Sequence, residues 1–215
     1  MSDIEILSGG TKVFLSGEHR FSRDSLLLAD FVNIKKNSSL LDIGAGCGIV
    51  SLALWDRGFS GETLALEIDP EACALAERAA AENGFSSYRA QKEDLRNFKP
   101  QYKFDCAVCN PPYFKAGAGT LSKSEARRAA RSESLCGIAD IALCARRSLK
   151  EGGSLFLCYR PERLAYLICE LEAGGFAAKR LRLVRHSREE EPWLALLEAR
   201  PGGGEGLKIM QDLID

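Results

Sequence analysis

Between residues 39 and about 186 the chain alternates short apolar runs with stretches whose apolar positions recur at helical spacing. S-L-L-D-I (39–43) is a compact apolar run closed by Asp and Gly, which predicts a buried strand. C-G-I-V-S-L-A-L-W-D-R-G (47–58) has helical spacing and stops at Gly58. T-L-A-L-E-I-D (63–69) predicts a second strand, and P-E-A-C-A-L-A-E-R-A-A-A-E-N-G (70–84) a helix that opens on Pro70 and stops at Asn83-Gly84. S-S-Y-R-A (86–90) and F-D-C-A-V-C-N (104–110) read as the third and fourth strands. A helix over about 137–149 stops before Gly152-Gly153, and S-L-F-L-C-Y (154–159) is the fifth strand. Pro161 opens another helix, P-E-R-L-A-Y-L-I-C-E-L-E-A-G-G. A-A-K-R-L-R-L-V-R-H (177–186) alternates small or apolar with basic residues, as a strand with one wet face does, and W-L-A-L-L-E-A-R (193–200) is the last strand.

This alternation predicts an α/β fold: a mostly parallel, seven-stranded sheet with helices on both faces. No helical pattern separates the last two strands, so they form a hairpin and one runs antiparallel. The first 38 residues hold a strand-turn-strand piece, I-E-I-L-S-G-G-T-K-V-F-L, and a helix, D-S-L-L-L-A-D-F. They are too short for a separate domain, so residues 1–38 are expected to pack as an extension on a main domain over 39–215.

Composition narrows the class without naming a chemistry. The chain has 215 residues, 46% hydrophobic and 27% charged, enough for a core that needs no staples. Its 29 basic and 30 acidic residues give a net charge of -1, so a polyanion would have to meet a local basic patch. No secretory pattern opens the chain, and no apolar run approaches the roughly 20 residues that span a bilayer. With 8 cysteines, the expectation is a cytoplasmic protein with reduced thiols. Cys106-Ala-Val-Cys109 has metal-site spacing, but it lies within a strand and has no second pair, so buried thiols and no metal are expected.

The chemistry concentrates at strand ends. L-L-D-I-G-A-G-C-G-I-V (40–50) is a glycine loop at a strand-to-helix junction, where a ligand can approach the backbone closely. Its G-x-G-x-G spacing differs from the dinucleotide fingerprint. Glu67 closes the second strand and can accept the hydroxyls of a ribose; a carboxylate there repels a pyrophosphate but tolerates a cationic ligand. Asp69 reads mainly as a helix cap, and Asp94 as either a ligand acceptor or a cap.

At the end of the fourth strand stands N-P-P-Y-F (110–114). Two prolines remove two N–H donors and fix two φ angles, leaving rigid carbonyl acceptors beside one amide and one aromatic ring. A conjugated amine is a poor nucleophile, so a reaction at it depends on acceptors that localise its lone pair. The Asn110 side-chain oxygen and the Pro111 carbonyl can accept the two N–H groups, Pro112 stiffens the turn, and Tyr113 can stack on a flat substrate. The target nitrogen would belong to adenine, guanine or a glutamine amide.

Together the glycine loop, the following acid and N-P-P-Y resemble the class I S-adenosylmethionine-dependent methyltransferases, whose fold is Rossmann-like. The resemblance implies S-adenosylmethionine as cofactor, with Asp42, Gly44, Ala45 and Gly46 bordering its methionine and ribose portions. It further implies Glu67 and Ile68 at the ribose, Asp94 and Leu95 at the adenine, and Asn110 beside the methyl group.

H-R-F-S-R-D-S-L-L-L-A-D-F (19–31), A-A-R-S-E (129–133), Y-R-P-E-R-L (159–164) and W-L-A-L-L-E-A-R extend the likeness over nearly the whole chain. With them the sequence is similar to the bacterial tRNA adenine-N6 methyltransferase family, which modifies adenine 37 of a valine tRNA. That resemblance implies Phe21, Ser22 and Asp24 closing over the methionine end, and Lys123, Arg127, Arg128 and Arg131 near the RNA. Lys179, Arg180, Arg182, Arg185 and Arg188 form a second basic cluster on the sixth strand and the turn after it, read either as an RNA contact or as a solvated face. The partner expected is RNA, in particular tRNA, with no membrane and no metal, and a monomer is the expected state. A protein-glutamine N5 methyltransferase, an rRNA guanine N2 methyltransferase and a non-catalytic RNA-binding protein of the same fold remain as alternatives.

Overall fold

The computed structural model describes residues 3–111 and 136–215, and element labels here number the elements found among them. The fold follows the alternation in the sequence. β3 (Leu40–Ile43), β4 (Thr63–Glu67), β5 (Tyr88–Lys92), β6 (Phe104–Cys109) and β7 (Leu149–Tyr159) run parallel, in the spatial order β7-β6-β3-β4-β5. β9 (Leu194–Pro201) lies antiparallel between β7 and β8 (Phe176–Arg185), as a helix-free connection requires.

Consecutive strand residues feed opposite faces, so strands covered on both sides read as unbroken apolar runs. Cys106, Val108, Phe156, Cys158, Leu194 and Leu196 join the core beneath α1 (Arg23–Phe31), α2 (Ile49–Asp56) and α3 (Pro70–Glu82). Ala107, Cys109, Leu155, Leu157, Ala195 and Leu197 join a second core beneath α4 (Ile138–Ser148) and α5 (Leu164–Ala173). Asp69 caps α3 by accepting from the backbone N–H of Glu71 and Ala72, at 2.8 and 3.2 Å.

The N-terminal hairpin of β1 (Asp3–Ile6) and β2 (Lys12–Leu15) shares the first core through Val13, Phe14 and Leu15. Asn83, at the end of α3, holds β2 from both sides: its Oδ1 accepts from Lys12 N–H and its Nδ2 donates to Lys12 O. α1 packs on α2, β7 and β9, which brings a segment from before the first sheet strand to the rim of the main sheet.

Two features depart from the sequence reading. β7 begins at Leu149 and runs through Gly152-Gly153 rather than starting after them. The register against β6 shifts between Phe104 and Cys106, so the glycines absorb an irregularity that a side chain would obstruct. A Cβ at Gly153 would sit 3.0 Å from both the Asp105 and the Lys150 carbonyl oxygens. In addition, the sheet gains two short strands beyond the seven, β10 (Lys208–Ile209) and β11 (Leu213–Ile214), both parallel to β8. They cover backbone groups that would otherwise form an open edge.

Candidate active site

The carboxyl ends of β3, β4 and β6 lie side by side, because β3 pairs with β4 on one side and β6 on the other. The loop after β3 turns through the left-handed glycines Gly44, Gly46 and Gly48. Ala45 N–H donates to Leu66 O at 2.9 Å, and Gly46 N–H donates to Glu67 Oε2 at 2.7 Å, which ties the loop to the end of β4. Glu67 Oε1 accepts from Asp69 N–H at 2.9 Å. Each carboxylate oxygen therefore keeps a lone pair for a ligand hydroxyl.

Asp42 lies below this loop, 1% exposed, and accepts from Ser51 Oγ–H at 2.6 Å. Ser51 Oγ is also 3.0 Å from the hydroxyl of buried Tyr88, giving an Asp42–Ser51–Tyr88 chain that joins β3, α2 and β5. Burial raises the Asp42 pKa to about 6, against the lowering effect of the Ser51 hydrogen bonds. Burial also pushes the neighbouring Cys47 thiol up to about 11, so it is not a thiolate at neutral pH.

Asp94 opens the turn after β5. Its carboxylate accepts from Arg96 N–H at 2.9 Å and pairs with the Arg96 guanidinium at 2.5 Å, which holds its pKa below the usual range. The backbone contact to Arg96 fits the reading of Asp94 as a turn cap. Leu95 is anchored from α4 by Arg147, whose guanidinium donates to the Leu95 carbonyl. Ile68 is 42% exposed beside Glu67, a large apolar side chain open to a ligand's flat face.

Asn110 follows β6. Its Nδ2 donates to Ser25 Oγ of α1 at 2.8 Å, and its Oδ1 accepts from the Cys158 thiol of β7 at 3.0 Å. Pro111 is buried behind it. Phe21 is half-buried against the first core, Ser22 is exposed at the start of α1, and Asp24 is 6% exposed. Asp24 makes no hydrogen bond or ion pair among the described residues. Pro112, Tyr113, Lys123, Arg127, Arg128 and Arg131 lie outside the described residues.

Sequence reasoning missed Ser25, Cys158, Ser51 and Tyr88. Ser25 stood inside the N-terminal stretch that carried a family resemblance, but nothing local marks its partner 85 residues away.

The second basic cluster is largely spent internally. Arg180 pairs with Glu198, a carboxylate 3% exposed, and Arg185 pairs with Asp212 at 2.6 Å. Lys179 donates to the carbonyls of Gly204 and Glu205. Arg180 also lies 4.8 Å over the Phe31 ring. These groups hold the sheet edge and α1, which gives Lys179, Arg180 and Arg185 a structural role.

All of the eight cysteines are free thiols, with Cys106 and Cys109 buried in β6. Among the described residues no group of three His, Cys, Asp or Glu could hold a metal ion, and no helix is long and apolar enough to cross a membrane.

The residues fit S-adenosylmethionine. A Cβ built on Gly44 or Gly46 meets nothing within 4 Å, so the loop faces open space that a ligand can enter. Glu67 offers lone pairs to ribose hydroxyls, Ile68 an apolar face, and Asp24 a buried carboxylate suited to a cationic group.

Residues 11–166 match the methyltransferase small domain family. The chain is 31% identical over 176 residues to the tRNA1(Val) (adenine(37)-N6)-methyltransferase of Tolumonas auensis, covering 81% of this chain and 73% of that protein. The protein of the same name from Vibrio campbellii is 29% identical over 164 residues, 75% of this chain and 68% of its own length. For Aliivibrio fischeri the match is 33% over 115 residues, 53% of this chain and about half (49%) of that relative. Among solved structures, a predicted O-methyltransferase from Agrobacterium tumefaciens superposes with a TM-score of 0.68 at 21% identity, covering 89% of this chain and 86% of that one. A glycopeptide N-methyltransferase solved with S-adenosylmethionine has a TM-score of 0.59 at 14% identity, covering 84% and 95%. At these identities the two structures speak to the fold. The chain belongs to the methyltransferase small domain family and is an S-adenosylmethionine-dependent methyltransferase.

Proposed function

We propose that the protein methylates the N6 amine of an adenine in the anticodon loop of tRNA. The observation that carries this reading is the anchoring of Asn110, a half-buried amide at the end of β6 held at both ends and followed by Pro111. The names of the relatives from Tolumonas auensis and Vibrio campbellii support adenine 37 of tRNA1(Val) as the target.

In this account Gly44, Ala45 and Gly46 give the cofactor close access to the backbone, Glu67 accepts its ribose hydroxyls, and Asp24 compensates its ammonium group. Ile68, Asp94 and Leu95 serve its adenine. When bound, S-adenosylmethionine supplies an electrophilic methyl group on a positively charged sulfur, and the amine that takes the methyl gives up one proton. Asn110 Oδ1 and the Pro111 carbonyl accept the two N–H groups of the substrate amine, which draws its lone pair out of conjugation. As positive charge grows on that nitrogen the same acceptors interact more strongly, so their effect is greatest at the transition state. No general base is needed before transfer, because the proton becomes acidic only once the nitrogen is cationic. Pro112 and Tyr113 complete the turn and the stacking surface, and Lys123, Arg127, Arg128 and Arg131 meet the phosphates.

The test is to incubate the protein with methyl-deuterated S-adenosylmethionine and bulk tRNA, then digest the RNA and analyse nucleosides by mass spectrometry. Labelled N6-methyladenosine is the expected product. Label in N2-methylguanosine, or label only in a ribosomal release factor offered in parallel, would reject this substrate in favour of the guanine or glutamine alternative.

A further inference from the structure

We propose that His186 and Trp193 form a stacking platform for an unpaired RNA base next to the nucleotide that is methylated, with Arg188 beside it for a phosphate. The inference rests on the reading of the substrate as RNA. The two rings lie nearly parallel, 11° apart with centroids at 5.1 Å, which is offset stacking. His186 is exposed, so the stack keeps one ring open to solvent, while Trp193 is half-buried and packs on the first core.

The fold sets this pair at the edge that carries the candidate site. β9 runs antiparallel to β7 with Ala195 opposite Tyr159, so β9 starts where β7 ends, at the carboxyl edge of the sheet. β8 ends there too, with Val184 opposite Leu194. Asn110 reaches β7 from the other side, its Oδ1 3.0 Å from the Cys158 thiol. Only β7 separates β9 from β6, and neighbouring strands lie about 4.8 Å apart, so the start of β9 stands about 10 Å to the side of Asn110. A ring that meets Asn110 cannot also lie on this pair; an adjoining nucleotide can.

The tryptophan backbone is fixed on both sides. Its N–H donates to Val184 O at 2.9 Å, and its carbonyl accepts from Arg160 Nη1 at 3.0 Å. The indole Nε1 is buried with no hydrogen-bond partner among the described residues, so the residue contributes a flat surface and not a polar handle. Arg188, two residues past His186, is exposed and makes no ion pair among the described residues, which leaves its charge for an anion. A flat ring beside an uncommitted guanidinium matches the two parts of an unpaired nucleotide, base and phosphate. A glutamine amide supplies neither.

The test measures binding of bulk tRNA by filter titration across salt, with S-adenosylmethionine affinity followed by calorimetry, for the parent, Trp193→Leu, Trp193→Phe and Arg188→Ala. Trp193→Leu keeps apolar bulk and loses the ring. Its Kd for tRNA should rise about 10–100-fold with an unchanged salt slope, because stacking displaces no counterions. Trp193→Phe, which keeps a ring, should stay within about threefold of the parent. Arg188→Ala should lower the slope by about 1. A Trp193→Leu affinity within about twofold of the parent overturns the proposal, as does an Arg188→Ala slope equal to the parent's. So does a loss shared equally by the leucine and phenylalanine variants, or one that comes with weaker cofactor binding, since either marks a structural role. If Trp193→Leu binds tRNA normally but methylates a ribosomal release factor poorly, the surface serves a protein and the proposal falls. The parent separates the two levels. If it does not methylate tRNA, the RNA reading falls and takes this inference with it; if it does, and Trp193→Leu binds as the parent binds, only the platform falls.

Discussion

At the scale of single residues, three positions at the glycine loop carry distinct physical loads. Asp42 is an acid whose folded-state pKa is raised to about 6 from 3.8, mainly by burial. The folded protein then binds this proton more tightly than the unfolded chain, so the contribution to stability is full below about pH 4 and is lost as pH rises to about 6. The shift corresponds to about 3 kcal/mol. Asp42→Asn lacks the titration; its stability relative to the parent should improve by about that amount between pH 4 and pH 7 in urea melts. Identical pH slopes for the two proteins would contradict the assignment. Gly48 is a different case. It begins α2 with φ +81°, and a Cβ there would lie 2.5 Å from the Tyr88 hydroxyl. Gly48→Ala should cost about 2–4 kcal/mol by thermal or chemical unfolding, combining left-handed strain with overpacking. Glu67→Gln removes charge where ribose hydroxyls are proposed to bind. Calorimetry should show S-adenosylmethionine affinity reduced roughly 10–100-fold, and unchanged affinity would exclude Glu67 from the cofactor contact.

At the scale of elements, what the sequence shows is what is local. β3, β4, β6 and α3 announce themselves through apolar runs, Pro70 and the Asn83-Gly84 stop, because strand burial and helix capping are decided within a few residues. The glycine loop and Glu67 are legible for the same reason. Ser25–Asn110, Asn110–Cys158 and Arg180–Glu198 are not, since each joins segments far apart in the chain and neither partner carries a periodic signal. The basic residues of β8 illustrate the limit. From sequence they match a phosphate-binding face equally well, and the inward placement of Glu198 on β9 is what gives Arg180 a structural role. Burial alone would raise the Glu198 pKa, but hydrogen bonds from Arg180 and Ser154 outweigh it and hold the carboxylate ionised. Arg180→Ala should therefore destabilise the fold by roughly 3 kcal/mol, toward the low end for a broken buried pair because Arg200 remains beside Glu198. Its S-adenosylmethionine affinity should be unaffected, and a fully stable Arg180→Ala protein would return β8 to the candidate RNA surface.

At the scale of the whole molecule, the carboxyl edge of the sheet divides its labour by strand. The glycine loop of β3 and Glu67 of β4 lie on one side of Asn110, and β7, β9 and β8 lie on the other. The cofactor is proposed on the first side. Phosphate contact is proposed for Lys123, Arg127, Arg128 and Arg131. Arg127→Ala with Arg128→Ala should weaken tRNA binding and reduce the salt slope of log affinity by roughly 1–2, leaving cofactor affinity unchanged. A filter-binding titration across salt checks this, and an unaltered slope would remove these arginines from the interface.

The proposed chemistry depends on an amide that orders a weak nucleophile rather than on a base that ionises it. The most direct measurement is single-turnover methyl transfer to tRNA by Asn110→Ala at saturating S-adenosylmethionine, with cofactor binding followed by calorimetry. The account predicts normal cofactor affinity and a transfer rate lowered by at least roughly a hundredfold. A rate near that of the parent, with the cofactor bound as tightly, would contradict it.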